Sequence, residues 1–173
     1  DHLAHAPFNL DTEALAWVRD SFDRLTENDK LRQLFNLRSA GDDPAEITRQ
    51  RRFRPGGITR MMGKDLAAER ELLAGFNADA PVPLLVSADL EGSRMSLAFG
   101  TEVPNPLALA AVDDVAATAA ISAIMAAEAR AAGINWSFTP VLDINAAFRS
   151  AIVATRGYGS DVETIERHAL AQL

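Results

Sequence analysis

Two places in this 173-residue chain put carboxylates and a guanidinium group just past an apolar run. In "PLLVSADLEGSRMS", Pro83 to Ser96, the run ends on Asp89, Glu91 and Gly92, with Arg94 behind them. In "INWSFTPVLDI", Ile134 to Ile144, a second run ends on Asp143, and "TRGYGSD", Thr155 to Asp161, brings Arg156. A carboxylate held above the end of a strand can accept two hydrogen bonds from neighbouring hydroxyls, and a charged acceptor makes them stronger than a neutral one does. A guanidinium offers five donors in a fixed fork, suited to paired hydroxyl oxygens or to a carboxylate. Each residue also has a plainer reading. Asp89 is a residue type that caps turns, and Arg156 has Asp143 and Asp161 nearby in sequence as salt-bridge partners.

The remaining chemistry is sparse. Cysteine is absent, which excludes a disulfide framework, a thiolate metal site and a thiol nucleophile. His2 and His5 sit in an irregular leader over residues 1–10, and His168 lies on a helix; none is assigned a chemical role. No metal or organic cofactor is implied. A formal charge of −7 and a pI near 4.9 argue against nucleic acid or an anionic membrane surface as partner. The one basic run, "TRQRRFR" from Thr48 to Arg54, reads as the solvated face of a helix. No apolar run reaches the roughly 18 residues of a membrane span. The chain opens on Asp1 with no visible secretory signal, which reads as a trimmed amino end; a soluble cytoplasmic, periplasmic or secreted location all fit.

The elements that must carry these residues alternate. Leu15, Val18, Phe22 and Leu25 recur at helical spacing behind Asp11, and Thr26 to Asp29 reads as a capping box. "QLFNLRSA" predicts a strand, Asp43-Pro44 a helix start, and "PGGITRM" a glycine turn into a second strand. A helix from about Lys64 to Phe76 precedes the strand ending at Asp89. Asp113 or Asp114 opens a long alanine-rich helix that stops at Gly133, and the strand Ile134–Ile144 follows. Within it, the period-two spacing of Ile134, Trp136 and Phe138 predicts core positions. Ser160 to Glu163 reads as a capping box for the last helix. Such alternation is the signature of a parallel sheet covered by helices, with function at the carboxyl ends of its strands. A dinucleotide site is disfavoured, because "GGITRMMG" lacks the G-x-G-x-x-G spacing.

Five pieces in order resemble the amino-terminal (β/α)8 TIM-barrel domain of glycoside hydrolase family 3. "LTENDKLRQLF" is similar to its opening helix and first strand, and "GGI" to its second. "LLVSADLEGSR" resembles the D-x-E-G-G motif, "GINWSFTPVLDIN" the A-P-V-L-D-V segment, and "TRGYGSD" the R-S-F-G-x-D motif. Ser93 stands where the family usually has its second glycine, and Gly157-Tyr158 replaces Ser-Phe. About four βα units are present, so the resemblance implies an α/β chain covering the first half of the barrel, residues 1–173, either part of a longer protein or pairing with a second copy.

The resemblance implies that Asp89 and Arg156 hold hydroxyls of one terminal β-linked sugar. Asp143 is expected to orient Arg156, Glu91 to be a buried acceptor satisfied by Arg94 or backbone amides, and Arg94 to steady the loop. No catalytic residue is expected in this chain: the family's nucleophilic aspartate and, in its N-acetylhexosaminidase branch, a histidine acid/base would fall beyond Leu173. The run "DINAAFRSAIVATRGYGSD" is similar to that branch, implying retaining removal of a β-N-acetylhexosamine. A β-glucosidase or β-xylosidase of the family, and a non-catalytic sugar-binding or assembly module, are the alternatives.

Overall fold

A computed structural model describes residues 2–61, 63, 65–147 and 150–173. The expected helix start at Lys64, and the Phe148-Arg149 step of the run before Arg156, lie outside them. A 3-10 turn, His2–Ala4, leads into α1 (Thr12–Arg24), capped by Asp11 through a 2.8 Å bond from the Ala14 amide. Helix α2 (Glu27–Arg32) opens on the reciprocal Thr26/Asp29 capping box, and β1 (Asn36–Ala40) follows. Then come α3 (Pro44–Phe53), β2 (Gly57–Met61), α4 (Leu66–Asp79) and β3 (Leu85–Ala88). Helices α5 (Pro106–Val112) and α6 (Val115–Ala132), strand β4 (Trp136–Ser137) and α7 (Val162–Gln172) complete the order.

The four strands pair in parallel in the order β1-β2-β3-β4, with Asn36 opposite Gly57, Gly57 opposite Leu85 and Ser87 opposite Trp136. Consecutive order means that every crossover steps the same way. That is the order of a (β/α) barrel; a doubly wound sheet reverses direction at a switch point. Side-chain alternation agrees. Ile58 and Val86 point to the helix layer and are sealed at 0% and 1% exposure, joining Leu73, Phe76, Ala129 and Ala132 in the main core. Their neighbours Met61, Leu85 and Trp136 are 44%, 51% and 41% exposed. One face is therefore covered and the other, which a closed barrel would turn inward, is open.

Several expectations change. Strand β4 is two residues long, and Thr139-Pro140 turns the chain away from the ladder, so Asp143 sits on an irregular segment and not at a strand end. Trp136 and Phe138 pack on each other at 4.9 Å on the open face, 41% and 42% exposed, so neither is in the core. The cap of α7 is Asp161, bonded by the Thr164 amide, one residue after the expected Ser160. Asp113 closes α5, a helix the sequence reading lacks, and Asp114 caps α6. Helix α6 has the length and apolarity of a membrane-crossing helix, contrary to the sequence reading; it is rich in alanine and packs on α4 and α7. The basic run largely ties helices together: Arg51 pairs with Asp79 on α4, and Arg54 with Asp29 on α2.

Candidate functional site

The loop that leaves β3 is shaped by two left-handed residues. Gly92 has φ +92°, and a Cβ there would lie 2.2 Å from the Pro104 carbonyl oxygen, so backbone proximity and conformation both require glycine. Ser93 follows at φ +52°, its amide bonded to the Val103 carbonyl. The loop returns to α6 through Thr101, whose amide and hydroxyl both donate to Glu128.

This loop presents Asp89 and buries Glu91. Asp89 is half-buried, and its carboxylate accepts no hydrogen bond among the described residues, so it caps no turn. Glu91 is 2% exposed. Its oxygens take both donors on one edge of Arg156: Nε to Oε2 at 2.7 Å and Nη2 to Oε1 at 2.6 Å. Such a fork fixes the plane of the guanidinium as well as its position. The hydrogen bonds that Arg156 donates to Glu91, with the charges of Glu91, Asp89 and Asp143, raise the Arg156 pKa above its ordinary value against the opposing effect of burial.

The partners thus differ from those expected. Glu91 is satisfied by Arg156 and not by Arg94. The carboxylate that orients Arg156 is Glu91; Asp143 is exposed and acts on it only through space. Asp161 is engaged at the α7 cap. Arg94 is exposed, makes no ion pair among the described residues, and borders two cavities. One, about 180 Å³, is lined by Thr59, Met61, Asp89, Arg94 and Leu97 among others; the other, about 200 Å³, by Glu91, Arg94, Asn105, Ile152 and Arg156. Asp89 and Arg156 therefore border adjoining spaces with Arg94 between them. Among the described residues no group of three His, Cys, Asp or Glu could hold a metal ion.

Tyr158, two residues past Arg156, is a buried residue to which sequence reasoning gave no role. It is 2% exposed, stacks on His168 with ring centroids 5.4 Å apart, and donates its hydroxyl to Gln172 Oε1 at 2.6 Å. Burial pushes its pKa up to about 12. The signal was the departure Gly157-Tyr158 itself, together with a histidine ten residues on.

Comparison with known proteins gives the family. The glycosyl hydrolase family 3 N terminal domain matches residues 30–172. A beta-N-acetylglucosaminidase/beta-glucosidase of Cellulomonas fimi is 39% identical over 94% of this chain and 29% of its own length. Beta-hexosaminidase LpqI of Mycobacterium tuberculosis is 32% identical over 84% of this chain and 38% of its own. Among solved structures, a beta-glucoside phosphorylase bound to 2FGlc superposes with a TM-score of 0.87 at 30% identity, covering 98% of this chain and 31% of that one. The M. tuberculosis LpqI structure superposes with a TM-score of 0.72 at 31% identity, covering 86% and 44%. The chain spans 29–44% of the length of these relatives.

Proposed function

The chain belongs to glycoside hydrolase family 3, and on that premise we propose that residues 1–173, after a leader over 1–10, form the amino-terminal part of a TIM-barrel domain that binds the terminal β-linked sugar of a carbohydrate. The observation that carries this reading is the juxtaposition of a half-buried Asp89, which accepts no hydrogen bond among the described residues, with an Arg156 held edge-on by Glu91. Asp89 accepts from neighbouring hydroxyls. Arg156 donates from Nη1, the one guanidinium nitrogen that Glu91 leaves unengaged, and from the second hydrogen of Nη2. Hydrogen bonds collected on the non-reacting hydroxyls supply binding energy that orients and distorts the reacting ring. The nucleophilic carboxylate and the proton donor come from outside these residues, and the reaction is retaining hydrolysis of a β-N-acetylhexosaminide. Support for that sugar comes from the relatives named beta-hexosaminidase.

A second reading is favoured by the high superposition over 98% of the chain with a beta-glucoside phosphorylase. There, inorganic phosphate replaces water as the group that accepts the sugar. Both are tested on the polypeptide encoded by the complete gene, with nitrophenyl N-acetylglucosaminide and nitrophenyl glucoside, each with and without phosphate. Faster release from the N-acetylglucosaminide, independent of phosphate, is expected. Phosphate-dependent release with formation of a sugar 1-phosphate favours the second reading, and no release from either sugar removes both.

A further inference from the structure

Arg156 lies on a segment, residues 150–161, that contains no helix or strand, yet its guanidinium must be placed to within a fraction of an ångström to serve a sugar. Glu91 fixes the tip of the side chain. The backbone that carries it needs an anchor of its own. Within the segment the Arg156 amide donates to the Val153 carbonyl at 2.7 Å and the Val153 amide to Ser150 Oγ at 3.2 Å; the ties to the rest of the chain include the Leu107 amide to the Thr155 carbonyl at 3.4 Å, and the Asn145 amide to the Gly159 carbonyl at 3.0 Å and its Nδ2 to the Ala154 carbonyl at 3.3 Å. Among the described residues, the one large side chain the segment buries is Tyr158, two residues past Arg156 and between two glycines. It enters a small second core with Leu109, Ile165 and Ala169.

The floor of that core is polar. His168 is fully buried, with Nδ1 2.8 Å from the Thr118 hydroxyl on α6 and its ring nearly parallel to Tyr158, at 22°. Its Nε2 has no hydrogen-bond partner among the described residues and lies 3.8 Å from Asp113 Oδ1, which Arg167 engages at 2.8 Å. A histidine ring at this place gives a flat, fixed surface, because Thr118 sets its rotation. The hydroxyl of Tyr158, bonded to Gln172, then prevents the phenol from sliding on that surface.

We propose that Tyr158, seated on His168 and tied to Gln172, is the positioning residue for Arg156: the stack transmits the position of α6 and α7 to the sugar-binding guanidinium. This rests on the reading of Arg156 as a sugar ligand. The two ideas separate by experiment on the complete gene product. The Nε–H of Arg156, bonded to Glu91, gives a nitrogen-proton resonance assigned by its loss in Arg156→Lys, and its linewidth and exchange report the position of Arg156 with no sugar present. Tyr158→Leu keeps an apolar side chain and removes both stack and hydroxyl; Tyr158→Phe keeps the stack.

In Tyr158→Leu we expect the Arg156 signal to broaden or exchange freely, and affinity for free N-acetylglucosamine to fall by about tenfold or more, the scale of a small misplacement. Tyr158→Phe should restore most of the affinity. His168→Leu, which leaves Tyr158 in place without its flat support, should fall between them. An unmoved Arg156 resonance in Tyr158→Leu overturns the proposal, as does a lower Tm with unchanged sugar affinity. A moved resonance in a protein whose wild type binds no monosaccharide keeps Tyr158 as the anchor and sinks the sugar reading instead.

Discussion

Glu91 and Asp89 are two residues apart, yet the structure gives them opposite energetic positions. Glu91 is sealed and engaged at both oxygens, whereas Asp89 meets no partner among the described residues. Removing Glu91 strands a guanidinium; removing Asp89 strands nothing. Glu91→Leu should therefore cost about 1–3 kcal/mol of folding stability in urea titrations, below the usual cost of breaking a fully buried pair because the Arg156 side chain is 35% exposed. Asp89→Ala should leave stability within about 0.5 kcal/mol of wild type. In the complete polypeptide Asp89→Ala should lower kcat/KM by about 10- to 100-fold, the loss of one or two charge-assisted hydrogen bonds. Equal stability losses for the two would show that Asp89 has a structural partner; an unchanged kcat/KM would take it out of the site.

At the scale of elements, the departures from the family pattern acquire physical content. Ser93 occupies a glycine position and adopts φ +52°, a conformation that carries a steric cost for a side chain with Cβ. Ser93→Gly should raise stability by up to about 1 kcal/mol, since relief of that cost is partly offset by the larger entropy of glycine in the unfolded chain. Gly92→Ala should lower it by more, because its Cβ would meet the Pro104 carbonyl. Denaturant midpoints for the pair check both signs. The buried Tyr158 gives a pH prediction. Its proton is held more tightly in the folded state, so the stabilisation is fully present below the unfolded value near 10 and is lost as pH rises through about 12. Wild type should therefore lose stability relative to Tyr158→Phe across that interval, and parallel pH curves would refute it. The caps and alternation of these elements were legible because Asp11, Thr26, Asp43 and Gly133 act through local backbone geometry. The residues proposed for the site were named from the sequence, but their pairings were not. The Glu91–Arg156 bond joins residues 65 apart, and nothing local tells Glu91 to prefer Arg156 over Arg94. Likewise Arg60 on β2 is buried against Glu69 on α4 because α4 supplies a carboxylate there.

At the scale of the molecule, the open face of the sheet is the least satisfied surface. Met61, Leu85, Trp136 and Phe138 are each 41–51% exposed, while the outer sides of β1 and β4 have no neighbouring strand among the described residues. Burying one large apolar side chain completely is favourable by roughly 1.5–3 kcal/mol, so further chain, or a second copy, has a strong incentive to cover this face. The long curated relatives are consistent with further strands doing so. Tryptophan reports the difference directly. Trp17, 52% exposed on α1, is replaced by Phe, leaving Trp136 as the sole indole. In the 173-residue chain alone, Trp136 fluorescence should be red-shifted and readily quenched by acrylamide, and neither nitrophenyl N-acetylglucosaminide nor nitrophenyl glucoside should be cleaved. In the complete gene product the Trp136 emission, taken as the difference between the protein and its Trp136→Phe variant, should shift to the blue and its quenching should fall several-fold, with activity appearing in the same sample. Concentration-dependent protection of Trp136 in the 173-residue chain would identify a second copy as the cover, and turnover by that chain as a monomer would show that the open face needs no cover for catalysis.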